Sequence, residues 1–182
     1  MRDVINKNLG EDDIYPAVRE AFEAGANGVK LYYMIGLPGE TMEDVLSIAD
    51  MAANIREIYY QTPREKRGGG FKLTVSVSCF VPKPHTPFQW AAQDSVAALE
   101  EKQRRLRGAL RGVRGVKYNW HDAHLSMLEA VFSRGDRRLA DVLVRAYEAG
   151  CRFDSWKEQF DFGKWLRAFE EAGLDPKWYA ER

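Results

Sequence analysis

Apolar positions along the chain follow two patterns, one typical of strands and one typical of helices. Residues 29–35 are β-branched, aromatic or long apolar types without clean alternation, which predicts a strand buried on both faces. Residues 71–81 form a second β-rich run, and residues 115–120 are expected to form a short third strand. Helical spacing predicts helices over residues 12–24, 42–60, 94–111, 124–133, 136–149 and 161–172. Strands that alternate with helices favour an α/β fold with a parallel sheet.

The turn after the first predicted strand carries the most informative residues of the chain. Gly36 and Gly39 let the backbone turn sharply or accept a ligand closely, and Pro38 stiffens the turn. Thr41 and Asp44 form a capping pair that predicts the start of the next helix. Corners of this kind lie at the carboxyl edge of α/β sheets, where cofactors bind, but many proteins use a Gly-Pro corner only to turn the chain. Both interpretations stay open on this evidence alone.

Two segments resemble the later half of the radical S-adenosylmethionine (SAM) barrel. The Gly-Leu-Pro-Gly-Glu-Thr turn at residues 36–41 resembles the turn after the fifth strand of that family. The Phe-Val-Pro-Lys-Pro-His-Thr-Pro segment at residues 80–87 resembles the segment after its sixth strand. Residues 2–14 resemble the short helix and helix start after the fourth strand, and the resemblance covers about residues 1–112. It is nearest to the MiaB-like and cobalamin-associated branches of the family.

The resemblance implies a two-part organisation of the chain. Residues 1–120 would be the C-terminal part of a radical SAM barrel, which is a partial (β/α) TIM-type barrel with parallel strands. Residues 121–182 would be an α-helical extension, similar to the one that follows the barrel in some uncharacterised fused radical SAM proteins. Because the resemblance assigns no chemistry to that extension, no catalytic residue is predicted.

The same resemblance implies a set of residues that would contact the cofactor. Those residues are Lys7, Ile35, Gly36, Leu37, Pro38, Gly39, Glu40, Phe80, Val81 and Pro82. The two strand ends would contact the adenine ring through apolar side chains and backbone, and Lys7 would pair with the SAM carboxylate. For Glu40 two roles stay open: a carboxylate that suits the dipole at a helix start, or a polar group of the cofactor pocket.

The cysteines limit what this chain could do alone. Radical SAM enzymes hold a [4Fe-4S] cluster with a C-x3-C-x2-C loop, whereas this chain has only Cys79 and Cys151, far apart in sequence. Reductive SAM cleavage and radical chemistry would therefore belong to a longer protein that supplies the upstream half of the barrel. SAM and a [4Fe-4S] cluster are expected in that full-length protein, and neither is expected to bind to this chain alone. The substrate stays unknown, with RNA and protein as candidate classes.

Two other classes of function remain open. The chain could be a small α/β nucleotide-binding module that binds ligand without upstream residues. It could also be a helical protein-interaction module whose function lies in residues 121–182. A C-x3-C-x2-C motif encoded upstream would favour the radical SAM interpretation over both.

Composition narrows the class of protein further. With 45% hydrophobic and 30% charged residues, the chain can bury a core without a disulfide framework or a metal. Lys plus Arg equals Asp plus Glu at 27 each, so no overall field favours nucleic acid or a membrane surface. A cytoplasmic location with reduced thiols and no membrane partner is expected. A half-barrel would also expose the edge of strand 29–35, which predicts a non-native homo-oligomer of the fragment.

Several polar clusters have a structural interpretation that we favour over a functional one. His121, Asp122 and His124 could offer metal ligands, but a helix cap by Asp122 is favoured. The charged Gly-rich stretch 64–70 enters a strand instead of opening a helix, so a flexible solvated connection is favoured over a phosphate cradle. A basic stripe that could meet RNA or phosphate is more consistent with a solvated helix face; its members are Arg104, Arg105, Arg107, Arg111 and Arg114.

Aromatic residues are concentrated in the C-terminal part of the chain. Their spacing predicts a helical mini-core and disfavours a cofactor box. The set consists of Tyr147, Phe153, Trp156, Phe160, Phe162, Trp165 and Phe169. Gly135 followed by Asp136 predicts a helix stop and then the N-cap of the next helix.

Overall fold

A computed structural model describes residues 10–182 of the chain, and Lys7 lies outside this part. Helices and strands alternate up to residue 120, after which only helices follow. The elements are α1 (Glu11–Glu23), β1 (Gly28–Ile35), α2 (Met42–Gln61), β2 (Lys72–Cys79), α3 (Val96–Leu110), β3 (Val116–Trp120), α4 (Ala123–Arg134), α5 (Leu139–Glu148), α6 (Phe162–Glu171) and α7 (Pro176–Ala180). The predicted mixed α/β class is confirmed, and α7 is a short helix that the sequence analysis missed.

The three strands form one parallel sheet in the order β1-β2-β3. In the register between β2 and β3, Leu73 lies opposite Val116, and Val77 lies opposite Trp120. Every second residue of β2 is buried, which places Leu73, Val75 and Val77 on its buried face. The predicted parallel arrangement of the three strands is therefore confirmed.

The prediction that β1 is buried on both faces is wrong. Its residues alternate between half-buried and exposed, and the side chain of Tyr32 is 73% exposed. Val29, Leu31 and Tyr33 pack against the core, whereas Lys30 lies on the opposite face with its Nζ 4.7 Å from the centre of the Tyr32 ring. The sequence pattern led to a wrong prediction because side chains such as those of Lys30 and Tyr32 combine an apolar stem or ring with a polar end that can remain in water. As the first strand in the sheet order, β1 is an edge strand.

Helix ends follow the predicted capping rules with one exception. Thr41 Oγ1 accepts a hydrogen bond from the N–H of Asp44 at 3.2 Å, and Asp44 Oδ2 accepts one from the N–H of Thr41 at 2.9 Å, so the predicted capping box of α2 is confirmed. Asp136, however, is not the N-cap of α5, because that position belongs to Arg138. The Asp136 carboxylate instead accepts hydrogen bonds from the backbone and the guanidinium of Arg138. This pairing lowers the pKa of Asp136 to about 2.

The chain divides into two compact units. The first contains the described residues up to Ser78 together with Glu100–Trp120, and the second contains Cys79–Leu99 together with His121–Arg182. The core of the first unit is built around Phe22, Ile35, Ile55, Leu73, Val75 and Leu106. The core of the second is built around Val131, Val142, Ala168 and Phe169. The expected division into residues 1–120 and 121–182 stays a prediction.

The helices between residues 10 and 182 do not have the properties of membrane-spanning segments. None of them has the length and the apolar character needed to cross a bilayer.

Candidate functional site

The corner between β1 and α2 is a tight turn that depends on glycine. β1 ends at the fully buried Ile35, and Leu37 is also buried. Gly36 and Gly39 have φ angles of +82° and +79°, in the left-handed region that glycine adopts without steric cost. The N–H of Glu40 donates to the carbonyl of Leu37 at 2.9 Å, which closes the turn. Six of the predicted cofactor-binding residues, from Ile35 to Glu40, therefore lie together at the carboxyl end of a parallel strand.

The buried carboxylate of Glu40 connects the two ends of this corner and pairs with a lysine of α3. Its Oε1 accepts a hydrogen bond from the N–H of Gly36 at 2.7 Å and pairs with Lys102 Nζ at 2.8 Å. The side chains of Glu40 and Lys102 are 3% and 12% exposed, so this ion pair is largely removed from water. The N-cap of α2 is Thr41, one residue later. In the structure Glu40 thus makes buried polar contacts within the first unit, and its role at a cofactor pocket stays a prediction.

Lys102 is a residue that the sequence analysis missed. It lies in α3 one turn from the buried Leu99 and Leu106, on the side of the helix that faces the protein interior. A charged lysine on the buried side of a helix is unfavourable unless an acidic partner is nearby. The position of Lys102 between two apolar residues could therefore have indicated that it has a buried acidic partner. The sequence alone could not have identified the partner, because Glu40 lies 62 residues away along the chain.

The segment after β2 belongs to the second unit. Phe80 is buried, and the centre of its ring lies 5.8 Å from that of Phe88 in an edge-on contact. Val81 is half-buried and packs against the core of the second unit, and Pro82 is buried. The three predicted cofactor-binding residues of this segment are therefore integrated into the packing of that unit.

Gln93 joins this segment to the C-terminal helices. Its side-chain amide donates hydrogen bonds to the carbonyl of Phe80 at 2.9 Å and to that of Ser126 at 3.1 Å. Its backbone N–H donates to the carbonyl of Ala180 at 2.9 Å. Gln93 is 3% exposed, so these bonds satisfy polar groups that water cannot reach. Nothing in the local sequence distinguishes this glutamine from a surface residue, and the sequence analysis missed it.

The predicted cap at His121–His124 is confirmed. Asp122 Oδ1 accepts hydrogen bonds from the N–H groups of His124 and Leu125 at 2.9 and 3.1 Å, which caps α4. The His124 ring packs against the Phe162 ring with 4.4 Å between their centres. Across residues 10–182, no three His, Cys, Asp or Glu side chains form a group that could hold a metal.

The basic stripe of α3 and the loop after it, formed by Arg104, Arg105, Arg107, Arg111 and Arg114, is exposed to water. Arg104 forms an ion pair with Glu101, and the guanidinium carbon of Arg107 lies 5.3 Å from the centre of the Trp120 ring. The favoured interpretation, a solvated helix face, agrees with this exposure.

The predicted aromatic mini-core is only partly correct. Trp165 and Phe169 are buried, and Phe160 and Phe162 pack against them at the margin of the second core. The three remaining members, Tyr147, Phe153 and Trp156, are 61%, 73% and 62% exposed. Phe153 also has a φ of +59°, a backbone conformation that is costly for a residue with a Cβ atom. The periodicity failed for Phe153 and Trp156 because residues 150–161 lie between α5 and α6, where helical spacing does not apply. Tyr147 lies within α5 but at an exposed position of that helix.

Both cysteines, Cys79 and Cys151, are free thiols and are buried. Burial raises the pKa of the Cys151 thiol, which disfavours the reactive thiolate.

A comparison with known proteins identifies a distant relative whose name carries no functional information. No protein-family model and no solved structure matches the chain. A protein of Methanocaldococcus jannaschii, named "Uncharacterized protein MJ0966", is 26% identical over 174 residues, which is 96% of this chain and 36% of that protein. The chain therefore spans a little over a third of the length of the relative it matches.

Proposed function

We propose that this chain is the C-terminal part of a radical SAM barrel and supplies the adenine side of the SAM pocket in a longer protein. The observation that carries the proposal is the corner from Ile35 to Glu40, which ends a parallel strand with two left-handed glycines. Its sequence resembles the turn after the fifth strand of that family. The alternation of parallel strands and helices up to residue 120 is consistent with a partial (β/α) barrel.

The geometry of the β1–α2 corner would allow the adenine ring of SAM to lie beside its backbone. Gly39 is exposed, and apart from its two neighbours along the chain no atom of residues 10–182 lies within 4 Å of the position that a Cβ would occupy there. The peptide groups on either side of Gly39 are therefore approachable from solvent. Ile35 and Leu37 lie behind them in the core, so the turn presents a firm surface. The ion pair between Glu40 and Lys102 holds the turn in this shape.

In this proposal the residues of the corner bind and orient the cofactor but carry out no bond-breaking step. SAM with a [4Fe-4S] cluster would supply a 5′-deoxyadenosyl radical that abstracts hydrogen from substrate. The chain would contribute backbone contact at Gly36 and Gly39 and exclusion of water by Leu37. Lys7 is proposed to pair with the SAM carboxylate. Phe80, Val81 and Pro82 are proposed to contribute apolar contact.

The full-length protein tests the proposal. After anaerobic iron and sulfide reconstitution and reduction, it should form 5′-deoxyadenosine from SAM. Gly39→Ala should raise the KM for SAM, because a methyl group would occupy the open space beside the turn. Gly173→Ala is a matched control, since Gly173 also has a positive φ, of +66°, and equally open surroundings. A full-length protein without a C-x3-C-x2-C motif, or one that forms no 5′-deoxyadenosine, would contradict the proposal.

The isolated chain gives an independent arm of the same test. It should bind no iron–sulfur cluster and cleave no SAM. A SAM-responsive cluster on residues 1–182 would contradict this expectation. Tight binding of a nucleotide to the isolated chain would instead favour the small nucleotide-binding module.

A second candidate function is favoured by the exposed aromatic residues of the second unit. Leu143, Val144, Tyr147 and Phe153 line an open groove of about 710 Å³. Exposed apolar surfaces of this kind often mark sites of protein–protein contact. A helical interaction module would lose association with its protein partner in a Phe153→Ser variant while SAM cleavage is preserved. Loss of both properties, or of neither, would argue against this second function.

A further inference from the structure

The loop between α2 and β2 borders a cleft of about 380 Å³ in the first unit. Its lining consists of Tyr59, Tyr60, Arg64, Arg67, Gly68–Gly70 and Phe71. This cleft precedes β2, whereas the corner proposed for SAM follows β1. The two places are therefore separate in sequence and in the elements that build them.

The loop that borders the cleft is held in place instead of being a free connection, which corrects the expectation of a flexible segment. The Tyr59 hydroxyl donates to the carbonyl of Gly68, and Asn27 Nδ2 donates to the carbonyl of Gly69 at 2.7 Å. A Cβ at Gly68 would lie 2.5 Å from the carbonyl oxygen of Gly25, so this glycine allows close packing against the turn after α1. These contacts fix the direction of two successive peptide groups.

That direction leaves N–H groups available to a ligand. In a trans peptide the C=O and the N–H point in opposite directions. Since the carbonyls of Gly68 and Gly69 are directed at Tyr59 and Asn27, the N–H groups of Gly69 and Gly70 are not used in these contacts, and both glycines are exposed residues of the cleft lining. Neither N–H has an acceptor within the described part of the chain. Successive backbone N–H groups that point out of a turn form concavities that bind anions.

Two arginines add positive charge to the same cleft. Arg67 Nη1 donates to the carbonyl of Tyr59 at 2.9 Å, and its guanidinium carbon lies 4.9 and 5.1 Å from the centres of the Tyr59 and Tyr60 rings. Arg67 is thereby held in one orientation. Arg64 is exposed, and among residues 10–182 neither arginine has a carboxylate partner. Glu65 is the one acidic residue among residues 64–67, beside three cationic ones, so the loop keeps a positive balance.

We propose that this cleft binds the phosphate group of a phosphorylated small molecule. The two guanidinium groups and the N–H groups of Gly69 and Gly70 are donors that suit an oxyanion with several equivalent oxygens. The cleft is larger than a bare phosphate requires, and the half-exposed Tyr60 borders it, so an apolar or aromatic portion of the ligand would lie beside Tyr60. The guanidinium carbons of Arg56 and Arg67 lie 4.7 and 5.1 Å from the centre of the Tyr60 ring. The inference does not depend on the proposed radical SAM function.

Binding of phenyl phosphate to the complete 182-residue chain tests the proposal. In a titration followed by ¹H–¹⁵N NMR, the amide resonances of Gly69 and Gly70 should shift saturably. Arg64→Gln should weaken binding by about tenfold, since it removes a charge-assisted hydrogen-bond donor. Lys66→Gln is the matched control, because it removes one positive charge from the same loop at a residue that does not line the cleft. It should change the affinity by less than about twofold.

Three outcomes would overturn the inference. Equal losses in Arg64→Gln and Lys66→Gln would show general attraction of anions to a basic loop instead of a site. Shifts that are absent or do not saturate would show that the cleft binds no phosphate ester. If inorganic phosphate bound as tightly as phenyl phosphate, the inference that an apolar or aromatic portion of the ligand contributes to binding would be wrong. Arg67→Lys provides a further check, because it keeps the charge but loses the planar fork and should still weaken binding.

Discussion

The ion pair between Glu40 and Lys102 offers a quantitative test of how the β1–α2 corner is held. Both side chains are nearly inaccessible to water, and Glu40 Oε1 also accepts the Gly36 N–H. Glu40→Gln keeps the shape of the side chain but removes the carboxylate charge that Glu40 places 2.8 Å from the buried Lys102 ammonium. Removing one partner of a buried pair costs about 3–5 kcal/mol, a large part of a typical unfolding free energy of about 5–15 kcal/mol.

Urea unfolding at neutral pH, followed by far-UV circular dichroism, measures this cost. The matched control is Glu129→Gln, which removes a carboxylate from the exposed ion pair with Lys83, whose side chains are 54% and 48% exposed. The control should cost less than about 1 kcal/mol, because solvent screens exposed pairs. The double variant Glu40→Gln/Lys102→Met should be more stable than Glu40→Gln alone, since it also removes the buried ammonium that has lost the Glu40 charge.

Two results would refute this account of the corner. If Glu40→Gln unfolded within about 1 kcal/mol of the parent protein, the pair would behave like an exposed one. If the cost of Glu40→Gln and the cost of Lys102→Met alone simply added in the double variant, Glu40 and Lys102 would not interact energetically.

Four further predictions concern other parts of the molecule. Gly68→Ala should destabilise the protein by about 1–3 kcal/mol in urea unfolding, because its Cβ would clash with a backbone carbonyl, whereas Gly69→Ala, which meets no atom within 4 Å, should be nearly neutral. In an NMR titration, the Asp136 carboxyl should show a pKa of about 2. Its contribution to stability is therefore present above pH 3.8 and is lost as the pH falls through about 2. Arg138→Gln should return the pKa of Asp136 toward 3.8. The buried Cys151 thiol should react with a disulfide reagent more slowly in the folded than in the denatured protein, and equal rates would contradict its raised pKa. Light scattering of the isolated chain should show a dimer or larger oligomer that forms through the β1 edge or through the open face of the proposed partial barrel, and a monomer of 20.8 kDa at all concentrations would refute this.

The sequence predicted those parts of the fold that depend on local chemistry. The capping box of Thr41 and Asp44 and the cap at Asp122 could be recognised because donor and acceptor lie within three residues of each other. The strands after Ala26 and Gly70 could be recognised because β-rich runs are bounded by turn residues. Such signals require no knowledge of distant contacts.

The sequence failed where a residue's environment depends on partners far along the chain. The exposed face of β1, which carries Tyr32, depends on which elements cover the sheet at that place, and composition does not encode this. Lys102 and Gln93 have buried polar roles through partners at separations of 62 and 33 residues. For residues 64–70 the local pattern favoured a flexible connection over a phosphate cradle and did not indicate that Asn27 and Tyr59 hold the carbonyls of Gly69 and Gly68.

The interleaved path of the chain through the two units has a consequence for dissection of the protein. The backbone passes from one unit to the other three times, after Ser78, Leu99 and Trp120. A stop codon after Trp120 would therefore leave the Cys79–Leu99 segment without the helices to which Gln93 is hydrogen-bonded. The second unit is assembled from two separate stretches, so it can be neither deleted nor transplanted as one contiguous piece. A gene fusion or deletion that is meant to keep the second unit intact must therefore include both of its stretches, Cys79–Leu99 and His121–Arg182.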